Sequence, residues 1–146
     1  MSVMEKLSAA TQLEVVGGCE RVCHDYAYFV DAGRMDEWIE LFADDAVMVL
    51  FGQTHNGKAA IKAAMAAAGG GGGGGSMHVT SNVRVVPTSE TEAEGSAYVV
   101  VYVKPAADAK GPLAPVAVGI YRDRFKRTSA GWKFARREFE PFAMAG

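Results

Sequence analysis

The chain has 146 residues, 49% of them hydrophobic and 22% charged, which predicts one soluble globular domain over residues 1–146. Fifteen basic against seventeen acidic side chains leave a net charge of −2; a nucleic-acid partner is not expected, because such proteins carry a basic excess or stripe. No stretch approaches the ~20 apolar residues of a membrane span, and residues 1–14 lack the basic start and apolar core of a secretion signal, so a cytoplasmic protein is expected.

The first predicted element is an amphipathic helix over residues 11–33. Val15, Cys19, Val22, Tyr26, Phe29 and Val30 recur at three- and four-residue intervals, which puts them on one buried face. Gly17 and Gly18 weaken its first turns, and Gly33 is a natural stop. Cys19 and Cys23 share this helix and fit reduced thiols better than a bridge. A second helix is predicted over residues 35–43, with Trp38, Leu41 and Phe42 on its apolar side. Asp44 and Asp45 break the pattern, a strand follows over 46–51, and a turn over 52–56 leads to an Ala-rich helix over 57–68.

Seven consecutive glycines, residues 69–75, predict a mobile loop, since such a run buries no side chains to offset its ordering entropy. Four strands follow, over 77–86, 96–104, 115–127 and 131–142, separated by short turn clusters that imply antiparallel neighbours. Helices first and strands afterwards define an α+β fold. The strand segment Tyr98-Val99-Val100-Val101-Tyr102-Val103 is apolar on both faces, whereas a sheet with one wet face alternates. A homo-oligomer, dimer or trimer, is therefore expected to cover the outer face.

Three residues stand out chemically. Asp31 lies at the end of the first helix, where a carboxylate faces the negative end of the helix dipole. Tyr26 lies on the apolar stripe, where its hydroxyl needs a partner. His78 opens a strand in which strict alternation puts His78, Thr80 and Asn82 on one face, as the polar lining of a cavity. Each residue has an ordinary structural explanation alone. If Asp31 meets His78, the carboxylate fixes one ring nitrogen and leaves the other free to take a proton. No Gly-x-Ser-x-Gly elbow supplies a nucleophile, and no histidine spacing suggests a metal. Arg122-Asp123-Arg124 reads as a surface charge pattern. Alternation sends Arg136 and Arg137 to opposite faces of their strand, so one of them needs an anionic or polar partner inside.

The run Tyr26-Ala27-Tyr28-Phe29-Val30-Asp31-Ala32-Gly33, with Trp38, Leu41-Phe42 and Asp44-Asp45 after it, resembles the opening of SnoaL-like proteins. These belong to the nuclear transport factor 2-like superfamily, with scytalone dehydratase, bile-acid dehydratase and hexachlorocyclohexane dehydrochlorinase. Asn56-Gly57-Lys58, Met77-His78-Val79-Thr80-Ser81-Asn82 and Gly131-Trp132-Lys133-Phe134 continue the resemblance, which covers residues 13–142. It implies a cone-shaped α+β barrel, with a curved, mostly antiparallel sheet wrapped around three N-terminal helices and a pocket at the open end. Asp31 and His78 fall on the positions of an Asp–His pair used by lyases of the superfamily. Tyr26 matches a tyrosine of bile-acid dehydratase and Arg137 an arginine of the dehydrochlorinase; the glycine run has no counterpart in the latter.

The expectation is a lyase without cofactor or metal, acting on a small, largely apolar cyclic or aromatic substrate. Elimination of water comes first, with loss of halide or a retro-aldol step as variants. His78 is the base oriented by Asp31, and Tyr26 and Arg137 stabilise developing negative oxygen. Phe29, Trp38 and Val49 form apolar walls, and Thr80 and Asn82 polar contacts. An isomerase or cyclase using the same pair, and a non-catalytic binding or assembly module, are the alternatives.

Overall fold

The computed structural model describes residues 2–70 and 73–145. Gly71 and Gly72, in the centre of the predicted mobile loop, lie outside the described residues. A one-turn helix α1 (Val3–Lys6) precedes the long helix α2 (Ala9–Asp31). Ser8 caps α2 by accepting the Thr11 N–H at 3.1 Å, which satisfies one of the unpaired donors of the first turn. Of the predicted stripe, Val15, Cys19, Val22, Tyr26 and Val30 are buried and Phe29 is half-buried, and Cys23 and Ala27 are buried beside them. Gly18 has a packing reason: a Cβ there would collide with the indole of Trp132. The helix ends at Asp31, and Gly33 follows in the left-handed region with φ 72°.

Helix α3 (Met35–Ile39) is shorter than predicted, because β1 (Phe42–Leu50) begins four residues early. Phe42 is drawn into the sheet by its partner Phe134, whose N–H donates to the Leu41 carbonyl at 2.8 Å. Asp44 and Asp45 do not break the strand; they are exposed acids within it, at a register irregularity, near Lys58 and Lys126 respectively. The predicted turn over 52–56 contains a short strand, β2 (Gln53–Asn56). Phe51 and Gly52, at φ 50° and 77°, form the two-residue reversal that joins it to β1, a geometry that needs positive φ at both positions. Helix α4 (Lys58–Ala67) and strands β3 (Ser76–Pro87), β4 (Glu92–Val103), β5 (Ala117–Thr128) and β6 (Gly131–Met144) complete the fold.

The six strands form one curved sheet in the order β2-β1-β6-β5-β4-β3, unclosed at its two ends. β1 and β6 run parallel and all other neighbours antiparallel. The helices pack on one face of this sheet. Between them sits an aromatic core in which Tyr26 contacts Trp38, Phe42, Tyr121 and Phe134 at ring-centroid distances of 5.4–6.2 Å, the tilted and edge-on range that suits ring quadrupoles. β4 has two apolar faces, as expected. Val99 is in the core, while Tyr98 on the opposite face is 51% exposed.

The alternation predicted for β3 fails at one point. The register slips between Ser81 and Arg84, and Asn82 takes a left-handed conformation with φ 52°. Such a bulge reverses the parity of the strand. Val83 and Val85 then pack against the core, and Asn82 is exposed.

Candidate active site

The end of α2 and the start of β3 are tied together. The Gly74 N–H donates to the Asp31 carbonyl at 3.0 Å, and Gly73 lies so close that a Cβ on it would come within 3.4 Å of the Ala32 carbonyl oxygen. The described end of the glycine run is thus docked on the helix end, and two residues later β3 brings His78 to Asp31. Asp31 Oδ1 lies 2.6 Å from His78 Nδ1 and also accepts from the Ser76 hydroxyl at 3.0 Å. Oδ2 accepts the His78 backbone N–H at 2.7 Å. These bonds fix the carboxylate against rotation. A carboxylate acceptor at Nδ1 places the neutral ring's proton there and leaves the Nε2 lone pair unclaimed. The two side chains are 23% and 15% exposed, so the pair is partly open to solvent.

Behind it, the interior is polar at isolated points. Tyr26 is fully buried, and desolvation pushes its phenol well above the ordinary range. Its ring packs edge-on against Tyr121, a second buried tyrosine, at 5.6 Å between centroids. Arg137 has no exposed surface. It grips Asp123 through Nε to Oδ1 at 2.8 Å and Nη2 to Oδ2 at 2.9 Å. Its guanidinium lies over the rings of Tyr121, Phe134 and Tyr26, at 3.7, 4.2 and 4.3 Å from their centroids. Desolvation opposes the charge on Arg137, but Asp123 outweighs it and holds the guanidinium protonated. Nη1 has no hydrogen-bond partner. Cys23 completes the cluster, with its sulfur 3.8 Å from Arg137 Nη2 and 3.9 Å from Asp123 Oδ2.

Of the residues singled out from sequence, Asp31 and His78 meet directly. Thr80 shares the inner face of β3 with His78, opposite the buried Val99. Phe29 packs against the core, with the Arg34 guanidinium 5.0 Å from its ring. Trp38 is wholly buried between Tyr26 and Phe42, its indole N–H without a partner. Two expectations need correction. Asn82 leaves the inner face at the bulge. Val49 pairs with Glu138, whereas its neighbour Met48 pairs with the inward Arg137, so Val49 belongs to the other side of β1. Tyr121 and Asp123 escaped the sequence reading, although Tyr121 and Phe125 flank Asp123 at two-residue spacing. That apolar alternation marks Asp123 as inward-facing.

Among the described residues, no group of three or more His, Cys, Asp or Glu side chains is placed to hold a metal ion. None of the helices formed by them is long and apolar enough to cross a membrane.

A helix-backed, unclosed curved sheet is the cystatin-like, nuclear transport factor 2-like fold. The chain belongs to the SnoaL-like domain family, whose model matches residues 11–138. Among solved structures it resembles a protein of Novosphingobium aromaticivorans provisionally called a scytalone dehydratase, at 25% identity and a TM-score of 0.79. That match covers 94% of this chain and 91% of the other. It also resembles an NTF2-like protein with a cystatin-like fold from the same organism, at 24% identity, a TM-score of 0.73 and coverage of 92% and 86%. LinA type 2, a hexachlorocyclohexane dehydrochlorinase, matches at 16% identity and a TM-score of 0.74, over 94% and 92%. Among curated proteins there is no match.

Proposed function

We propose that the protein is a cofactor-independent lyase that removes a proton from a small, largely apolar cyclic or aromatic substrate and expels water. The observation that carries this reading is the 2.6 Å contact between Asp31 and His78 at a partly open position. His78 Nε2 takes the C–H proton, and the electron pair left on carbon forms the new double bond as the C–O bond breaks. The imidazolium, balanced by Asp31, returns a proton to the departing oxygen. A positioned base of this kind supplies roughly 100- to 10,000-fold, or ~3–5 kcal/mol of barrier. Tyr26 and Arg137 lie behind the pair, fully buried, and act in this scheme through the electrostatics of the interior rather than by touching the substrate, with Phe29 and Thr80 shaping the site. The resemblance to structures named for a dehydratase and a dehydrochlorinase supports elimination.

The protein acts as a homo-oligomer in this reading. Met77, Val79 and Tyr98, exposed by 62%, 45% and 51%, adjoin Val100, Tyr102, Val118 and Ile120 across the outer sheet face. A second copy covers this apolar end by isologous packing. A reducing cytoplasm fits Cys19 and Cys23, which are free and buried.

The test is a panel of hydroxylated aromatic and steroid-like compounds, followed by mass spectrometry for loss of one water. Turnover by the wild type that disappears in His78→Ala is expected; equal turnover by the variant contradicts the assignment. Light scattering checks assembly, where a monomer contradicts the second-copy reading.

A further inference from the structure

The other half of the outer sheet face has a different character. A depression of about 630 Å³ is lined there by Arg84, Arg122, Arg124 and Arg136, with Glu94, Glu138 and Ser96 among its other walls. The strand register explains the clustering. One cross-strand row reads Arg84, Ser96, Arg122, Glu138, and the next reads Val86, Glu94, Arg124, Arg136. With strands about 4.8 Å apart and roughly 3.3 Å per residue, the four arginines originate from an area about 14 by 7 Å spanning β3 to β6.

Two features make this more than a solvated charged face. Arg124 and Arg136 stand directly opposite each other on β5 and β6, a like-charge pairing flanked by Glu138 on Arg136 and by Glu94 in register with Arg124. Arg122 is held by Glu140 at 3.0 Å and Arg136 by Glu138 at 3.1 Å. Among the described residues, Arg84 and Arg124 have no carboxylate or hydrogen-bonding partner. The side chain of Asp123, although part of the lining, is neutralised by Arg137 on the inner side. With those pairs cancelled, Arg84 and Arg124 against Glu94 leave one positive charge in excess, in a chain whose net charge is −2.

We propose that this depression is a binding site for a phosphate monoester dianion, held by the forks of Arg84 and Arg124 with Ser96 between the strands. Guanidinium groups match the geometry of phosphate oxygens with paired N–H donors, and the local excess is positive. The site lies across the sheet from the Asp31–His78 pair, so it stands independently of the lyase reading.

The probe is inorganic phosphate, titrated calorimetrically against the intact protein at pH 7.5, with sodium chloride of equal ionic strength as the control. Saturable binding is expected in the wild type and in His78→Ala. The double variant Arg84→Gln/Arg124→Gln should bind at least about tenfold more weakly, equivalent to about 1.4 kcal/mol. The Lys/Lys double variant should bind between the two, because it keeps the charge and loses the forks. Unchanged binding in the Gln variant means an adventitious ion only and overturns the proposal. So does an absence of phosphate binding combined with altered oligomeric state in the variant, which assigns the arginines to carboxylates of a second copy.

Discussion

The molecule contains two acid–base pairs that look alike on paper and differ in their surroundings. Asp123 and Arg137 are both sealed in the core, paired through two short hydrogen bonds and boxed by aromatic rings. Asp31 and His78 are paired through one side-chain contact and one backbone contact, and both side chains retain some access to solvent. A sealed ion pair cannot exchange protons with anything outside and contributes chiefly by not being broken. An open pair with one uncommitted ring nitrogen can do chemistry. Burial, rather than charge alone, separates the sealed pair from the one to which the proposed function assigns the chemistry.

That contrast is easiest to break at His78. His78→Ala should lower turnover by about 100- to 10,000-fold while changing unfolding free energy by no more than about 1 kcal/mol, as read by urea melts. A large stability loss would make the histidine structural. Arg137→Ala should do the reverse in stability, costing about 3–5 kcal/mol because Asp123 is left buried and unpaired. The combined change Arg137→Met with Asp123→Leu should recover much of that loss. An Arg137→Ala protein as stable as the wild type would contradict the sealed-pair description.

The thiols beside the sealed pair sharpen the comparison further. Burial pushes Cys19 and Cys23 up to about 12 from the usual 9. Between pH 9 and about 12 the native protein keeps protons that the unfolded chain releases. Their contribution is therefore complete below pH 9 and is lost as pH rises, by up to about 1.4 kcal/mol per pH unit for each thiol. Urea melts from pH 8 to 10.5 should show this decline, and Cys19→Ala should make it shallower; an identical slope in that variant would rule the thiols out as its source. The smallest expected effect is that of Ser76→Ala. It removes one hydrogen bond to Asp31 and should cost about 0.5 kcal/mol, visible as increased mobility of the His78 ring in NMR relaxation. No change in that mobility would mean that Ser76 does not help to fix the carboxylate.

Much of this arrangement was legible in the sequence because it follows from periodicity. The buried stripe of α2, the two apolar faces of β4 and the opposed directions of Arg136 and Arg137 all come from repeat spacing. The Asp31–His78 contact needed the resemblance as well, since a separation of 47 positions carries no distance information. What was lost has local causes. A bulge at Asn82 reverses parity without any composition signal, and β1 starts early because Phe42 answers to Phe134 across the sheet. Asp123 was hidden by the flanking charges of Arg122 and Arg124, although Tyr121 and Phe125 share its parity. The described end of the glycine run is tethered because Gly73 and Gly74 fit against the end of α2, where the absence of a side chain is an advantage.

The most direct test is a nitrogen-15 NMR spectrum of His78 at pH 8, in the wild type and in Asp31→Asn. A proton on Nδ1 and a bare Nε2 in the wild type, with that preference weakened or reversed in the variant, is the predicted result. A His78 ring protonated on Nε2 in the wild type would contradict the account, because the nitrogen assigned to remove the substrate proton would already hold one.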